Sequence, residues 1–164
     1  MDNRAIHPSH TAALESLCRF YATTCGLPAR VLTDLARIEF RAGDIGAVTM
    51  PGKIGARVKA RLEVPPNNSV APIISHPRSK RWTFLVCPDL PSETGLWPEL
   101  FRHNVSIVPI GAYIALPALS ADPGVGYREW VDKPTDGFRP RATEIIEAVL
   151  SCVSLVGRSS QMQR

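Results

Sequence analysis

No apolar run in the chain approaches the roughly 18 residues that a membrane-spanning helix needs, and the opening MDNRAIHPSH lacks the apolar stretch of a secretion signal. The expectation is a cytoplasmic protein with no membrane partner. Cysteine is sparse: Cys18, Cys25, Cys87 and Cys152 are scattered, with no C-x-x-C pair, and His7, His10, His76 and His103 do not complete a metal-ligand spacing with them. The thiols are therefore expected to be reduced core residues, and no metal or cofactor is implied. Aromatic residues make up only 7% of the sequence, which argues against a large aromatic binding platform.

What the chain does have is bulk, stiffness and localised charge. Its 164 residues, 45% hydrophobic and 21% charged, suit one globular domain that can bury a core without staples. Fifteen Pro and eleven Gly imply many short elements with stiff connections. The net charge is +4, yet the segment from Lys53 to Arg81 alone holds seven cations (Lys53, Arg57, Lys59, Arg61, Arg78, Lys80, Arg81) against one carboxylate, Glu63. Such concentration suits a phosphate-facing surface, because neutralising a polyanion releases its counterions. It equally suits a solvated basic face.

Periodicity supplies the scaffold. TAALESLCRFYATTCGLP carries Leu14, Leu17, Cys18 and Tyr21 at helical spacing and stops at Gly26. A second short helix is expected after Pro28, with Val31, Leu32 and Leu35. RIEFRAG alternates Arg37, Glu39 and Arg41 against Ile38 and Phe40, the pattern of a half-exposed strand. IGAVTMP follows as a buried strand. From Gly52 to Leu62 the period is helical, with Ile54, Val58 and Leu62 on one stripe and Lys53, Arg57 and Arg61 on the next.

PIIS and RWTFLV read as paired strands flanking the basic loop SHPRSKR. LWPELFRHN predicts a short helix through Trp97, Leu100 and Phe101, VSIVPIGAYIALP two strands around Gly111, and GYREWV a short edge strand. RPRATEIIEAVLSCVSLV is the clearest helix, with Pro140 near its first turn and Gly157 at its end. Met, Trp and Phe positions read as core. The expected fold is a single α+β domain over residues 1–157, a central mixed sheet flanked by helices, with a disordered polar tail over 158–164.

The succession PIISHPRSKRWTFLV, NVSIVPIGAYIALP and GYREW, within residues 44 to 140, resembles the catalytic domain of the archaeo-eukaryotic primase superfamily, in its bifunctional primase/polymerase branch. The chain is also similar to short actinobacterial proteins labelled as an RNA polymerase β subunit, a label the residues do not support. The resemblance implies a prim-pol-like fold and, for the family, two-metal nucleotidyl transfer. The family's first motif places two carboxylates one residue apart at a strand end, and the matching strand GAVTMP has Ala47, Thr49 and Pro51. The second motif's His, which in the family contacts nucleotide phosphates, falls on Arg81, and its glycines on Arg78 and Ser79. The third motif's Asp falls on Ser106. Ser75, Gly111, Tyr113, Tyr127 and Trp130 match. The resemblance thus keeps the residues that build the fold and loses those that would hold metal.

Other chemistries fare less well. Ser75 and His76 are adjacent on a strand and so point to opposite faces, and no G-x-S-x-G elbow accompanies them. TMPGKIG puts Gly52 and Lys53 between a strand and a helix but lacks the spacing and hydroxyl of a phosphate loop. Asp44 and Asp89 suit turns. The expected function is a catalytically inactive module that binds nucleic acid or nucleotide phosphates through Lys53, Arg57, Arg61, Ser75, Arg78, Lys80 and Arg81. The alternatives are a protein-interaction module using apolar surface such as Leu96 and Trp97, and an enzyme of unrecognised chemistry.

Overall fold

The computed structural model describes residues 8–66, 69–90, 95–118 and 127–161. In chain order these form α1 (Pro8–Thr23), β1 (Arg30–Leu32), a 3-10 turn (Thr33–Leu35), β2 (Arg37–Arg41), β3 (Gly46–Pro51), α2 (Gly52–Leu62), β4 (Ile73–His76), β5 (Arg81–Val86), α3 (Trp97–Arg102), β6 (Ser106–Ile107), β7 (Tyr113–Leu116), β8 (Glu129–Asp132) and α4 (Ala142–Gln161). The fold is α+β, as expected, but the strands divide into two sheets in which every neighbouring pair is antiparallel. One has the order β6-β3-β5-β4-β8 and the other β1-β2-β7. No helix among the described residues is long and apolar enough to cross a membrane.

Side-chain alternation along the five-stranded sheet explains its apolar runs. On β3, Val48 and Met50 face α2 and α4, where they join Val58, Leu62, Phe84, Ile145 and Val149 in one core cluster. Ala47 faces the other way, with Ile74 and Leu85, and joins Leu14, Tyr21, Ile38, Phe40 and Ile114 from α1 and the smaller sheet. Helices therefore cover one face of the large sheet while the small sheet and α1 cover the other. A hydrogen-bonded link ties these layers: Tyr21 Oη donates to the Pro117 carbonyl at 2.8 Å and accepts from Trp130 Nε1 at 2.8 Å.

The structure corrects several expectations. The helix predicted after Pro28 is instead β1 and a single 3-10 turn, because Val31 pairs with Ile38 and Leu32 with Arg37 of β2, and Ala36 closes the turn at φ 46°. Pairing with a neighbouring strand outweighs a short apolar spacing that fits either element. Glu39, assigned to an exposed strand face, is only 3% exposed. Among the cysteines, Cys87 is exposed, while all four are free. Phe101 is 85% exposed, so the assignment of every Phe to the core fails there. Helix α4 runs through Gly157 to Gln161, taking in residues 158–161 that were assigned to the tail; residues 162–164 lie outside the described residues.

Candidate phosphate-binding trough

The basic loop is a tight turn between β4 and β5. Ser79 N–H donates to the His76 carbonyl at 3.2 Å and Lys80 N–H to the Pro77 carbonyl at 3.3 Å, and Lys80 takes a left-handed conformation with φ 53°. Its carbonyl then accepts from the Gly52 N–H at 2.9 Å. That bond pins the loop tip to the first turn of α2 and so brings Lys80 and Lys53 to one concave surface. Gly55, one turn along α2, permits the approach: a Cβ there would lie 2.9 Å from the Trp82 ring. Lys53, Lys80, Arg81, Trp82 and Asn104 line the resulting cavity of about 580 Å³.

Arg81 is the hinge of the site. Its Nη2 donates to the Thr49 carbonyl at 3.2 Å and to the Asn104 carbonyl at 2.9 Å, so β3 and the α3–β6 connection fix the guanidinium. It also lines a second cavity, of about 340 Å³, that opens between the two sheets and is bounded by Arg37, Glu39, His76, Thr83, Tyr113 and Arg128. Ser79 lines both cavities too, so the two adjoin at the β4–β5 turn, one on each face of the large sheet, and together make the trough.

The electrostatics are one-sided. Among the described residues lining the two cavities, Glu39 is the one carboxylate. It is already engaged by Arg30 at 2.8 Å and Arg37 at 3.0 Å. Burial, and then the neighbouring Arg37 charge, push the Arg128 guanidinium down from its ordinary value. Arg128 makes no ion pair among the described residues, and Arg37 Nε is buried without a hydrogen-bond partner. The Arg37 side chain is 38% exposed and paired with Glu39 through Nη2, so the half-buried Arg128 carries the charge that an anion would balance.

His76 faces the same cavity. Its Nε2 lies 2.8 Å from Thr83 Oγ1, which in turn lies 3.1 Å from Thr49 Oγ1. Burial first, then the Arg128 and Arg81 charges, hold its pKa below the usual histidine value.

The seven residues singled out from the sequence do not all meet. Lys53, Lys80 and Arg81 share the trough. Arg57 and Arg61 sit farther along α2, where their charges offset part of the upward push that burial gives Cys152 on α4; neither lines the trough. Arg78 lies over the Tyr127 ring at 3.8 Å. Ser75 pairs in register with Trp82 and Glu129, and alternation turns its side chain away from the inter-sheet cavity that His76 lines.

Sequence reasoning missed Arg37, His76 and Arg128 as members of the site. Their strands are distant in the chain, and only the strand parity of His76 with Ile74 carried a signal. The three positions that the primase motifs would occupy do lie on adjacent strands: Thr49 pairs in register with Ser106, and Arg81 with Pro51. Among the described residues no group of three His, Cys, Asp or Glu side chains could hold a metal ion.

Comparison with family models, curated proteins and solved structures finds no match to this chain.

Proposed function

We propose that the protein binds the phosphates of nucleic acid or of a nucleotide in the trough, without transferring them. The observation that carries this reading is the charge imbalance around Arg81. Arg37, Arg81 and Arg128 on one side and Lys53 and Lys80 on the other line two adjoining concavities that meet at Ser79 and Arg81, and the one carboxylate among their described lining residues, Glu39, is spent on Arg30 and Arg37. Arginine forks and lysine point charges suit phosphate oxygens, and the partly buried Trp82 beside Lys53 offers an aromatic edge for a base. The adjacency of Thr49, Arg81 and Ser106 supports a primase-like ancestry. Thr49 and Ser106 are hydroxyl residues where that chemistry needs carboxylates, which favours binding over catalysis.

The test is fluorescence anisotropy with a labelled single-stranded oligonucleotide at low salt. Wild-type protein is expected to bind, and Lys53→Ala/Lys80→Ala to bind at least about tenfold more weakly, because both lysines reach phosphate along the backbone. Undiminished binding by the folded double variant overturns the assignment of the trough.

A second reading rests on a different surface. Trp97 and Phe101, 43% and 85% exposed, flank an apolar groove of about 420 Å³ beside β6, the edge strand of the large sheet. A partner docked there would hold in high salt, whereas phosphate binding in the trough would not.

A further inference from the structure

The inter-sheet cavity has a feature that phosphate binding alone does not use: a histidine joined to a chain of two hydroxyls. His76 Nε2, Thr83 Oγ1 and Thr49 Oγ1 follow one another at 2.8 and 3.1 Å. Both hydroxyls can rotate, so the chain accommodates either state of the ring. When imidazole is neutral, Nε2 can accept from Thr83. When it is protonated, Nε2–H donates to Thr83, whose hydroxyl can turn to donate to Thr49. No backbone rearrangement is needed for the change.

The groups facing His76 come from every side of the cavity. β5 contributes Arg81 and Thr83, β3 Thr49, β2 Arg37 and Glu39, β7 Tyr113, the turn Ser79, and the segment before β8 Arg128. Three guanidiniums against one paired carboxylate disfavour a fourth positive charge on the imidazole. An anion among these groups reverses that balance.

We infer that His76 makes anion binding in the inter-sheet cavity proton-coupled, a dianionic phosphate-like group entering together with one proton that the imidazole takes from solvent. The inference rests on the trough being a phosphate site. It adds that the site discriminates by charge, favouring a dianion over a singly charged diester as pH falls. Burial and the Arg128 and Arg81 charges depress the free ring's pKa, and a neighbouring anion raises it. Affinity is therefore highest below the free pKa, declines as pH rises towards the pKa of the bound form, and is level above it.

Sulfate is the probe, because its charge is constant between pH 5 and 8, so any pH dependence belongs to the protein. Calorimetric titration in buffers of different ionisation heat, repeated across that range, is expected to show proton uptake that peaks at about half a proton per sulfate for a one-unit rise in the ring's pKa. Affinity should fall from pH 5 to pH 8, by up to about tenfold for a one-unit rise in the ring's pKa on binding. His76→Gln is expected to bind sulfate with no pH dependence, at an affinity near that of wild type at pH 8. NMR titration of the wild-type imidazole, with and without sulfate, gives the same answer without a variant: the ring's pKa rises when sulfate is present. Saturable sulfate binding that is flat in pH, or a pH dependence retained by His76→Gln, overturns proton coupling and leaves the anion site standing. No saturable sulfate binding at pH 5 overturns both.

Discussion

Glu39 decides how positive the cavity is. It sits in the middle of β2, 3% exposed, with Arg30 reaching it from β1 and Arg37 from two residues back on its own strand. A buried carboxylate held by two guanidiniums is a structural element, because removing it leaves those cations with no counter-charge at that point. Glu39→Gln keeps the shape and drops the charge. It is expected to lower stability by about 1–3 kcal/mol, the range for weakening a buried hydrogen-bonded group, in urea unfolding. The same change should tighten sulfate binding at pH 6, since the one negative charge lining the cavity is gone. Weaker sulfate binding by a folded Glu39→Gln protein would show that Glu39 positions Arg37 for the ligand more than it opposes the ligand's charge.

At the scale of elements, the contact between α2 and β5 sets the shape of the trough. Gly55 lets the helix lie against Trp82, and a methyl group there would approach three atoms of that residue at 2.9, 3.1 and 3.2 Å. Gly55→Ala is expected to destabilise the protein by about 1–2 kcal/mol, overpacking outweighing the gain in helix propensity. It should also weaken oligonucleotide binding, as α2 and Lys53 move away from Lys80. A thermal melt and an anisotropy titration on the same sample check both effects, and a more stable variant would mean that Trp82 swings aside at little cost.

Elements of this kind were largely legible in the sequence. The helical stripe of Ile54, Val58 and Leu62, the apolar strand RWTFLV around Phe84, and the turn at Gly111, which has φ +88°, follow from local period and backbone chemistry. The segment Val31 to Leu35 was not, because a five-residue apolar spacing suits a helix or a strand and only pairing with β2 decides between them. Site membership was legible where the residues share one turn, as Lys80 and Arg81 do. It was illegible for Arg37 and Arg128, since period assigns a side chain to a face without naming the strand opposite. The same limit explains Arg57 and Arg61. Their helical stripe was correct, yet it leads along α2 towards α4 and away from the loop.

For the molecule as a whole, two antiparallel sheets and their helices matter because they place charges from β2, β5, α2 and the segment before β8 around two adjoining concavities that meet at Arg81, while other cations stay outside them. Location, more than total charge, is the central claim, and the dependence of oligonucleotide affinity on salt measures it directly. Three proteins of known charge suffice: wild type, Lys53→Ala/Lys80→Ala in the trough, and Arg57→Ala/Arg61→Ala on helix α2 but outside the trough. With a duplex oligonucleotide as the probe here, each phosphate contact contributes about −0.9 to the slope of log affinity against log salt. The trough variant should therefore lose nearly two units of slope, and the Arg57→Ala/Arg61→Ala variant should match wild type within error. Equal losses in both variants, or none in either, would contradict the account.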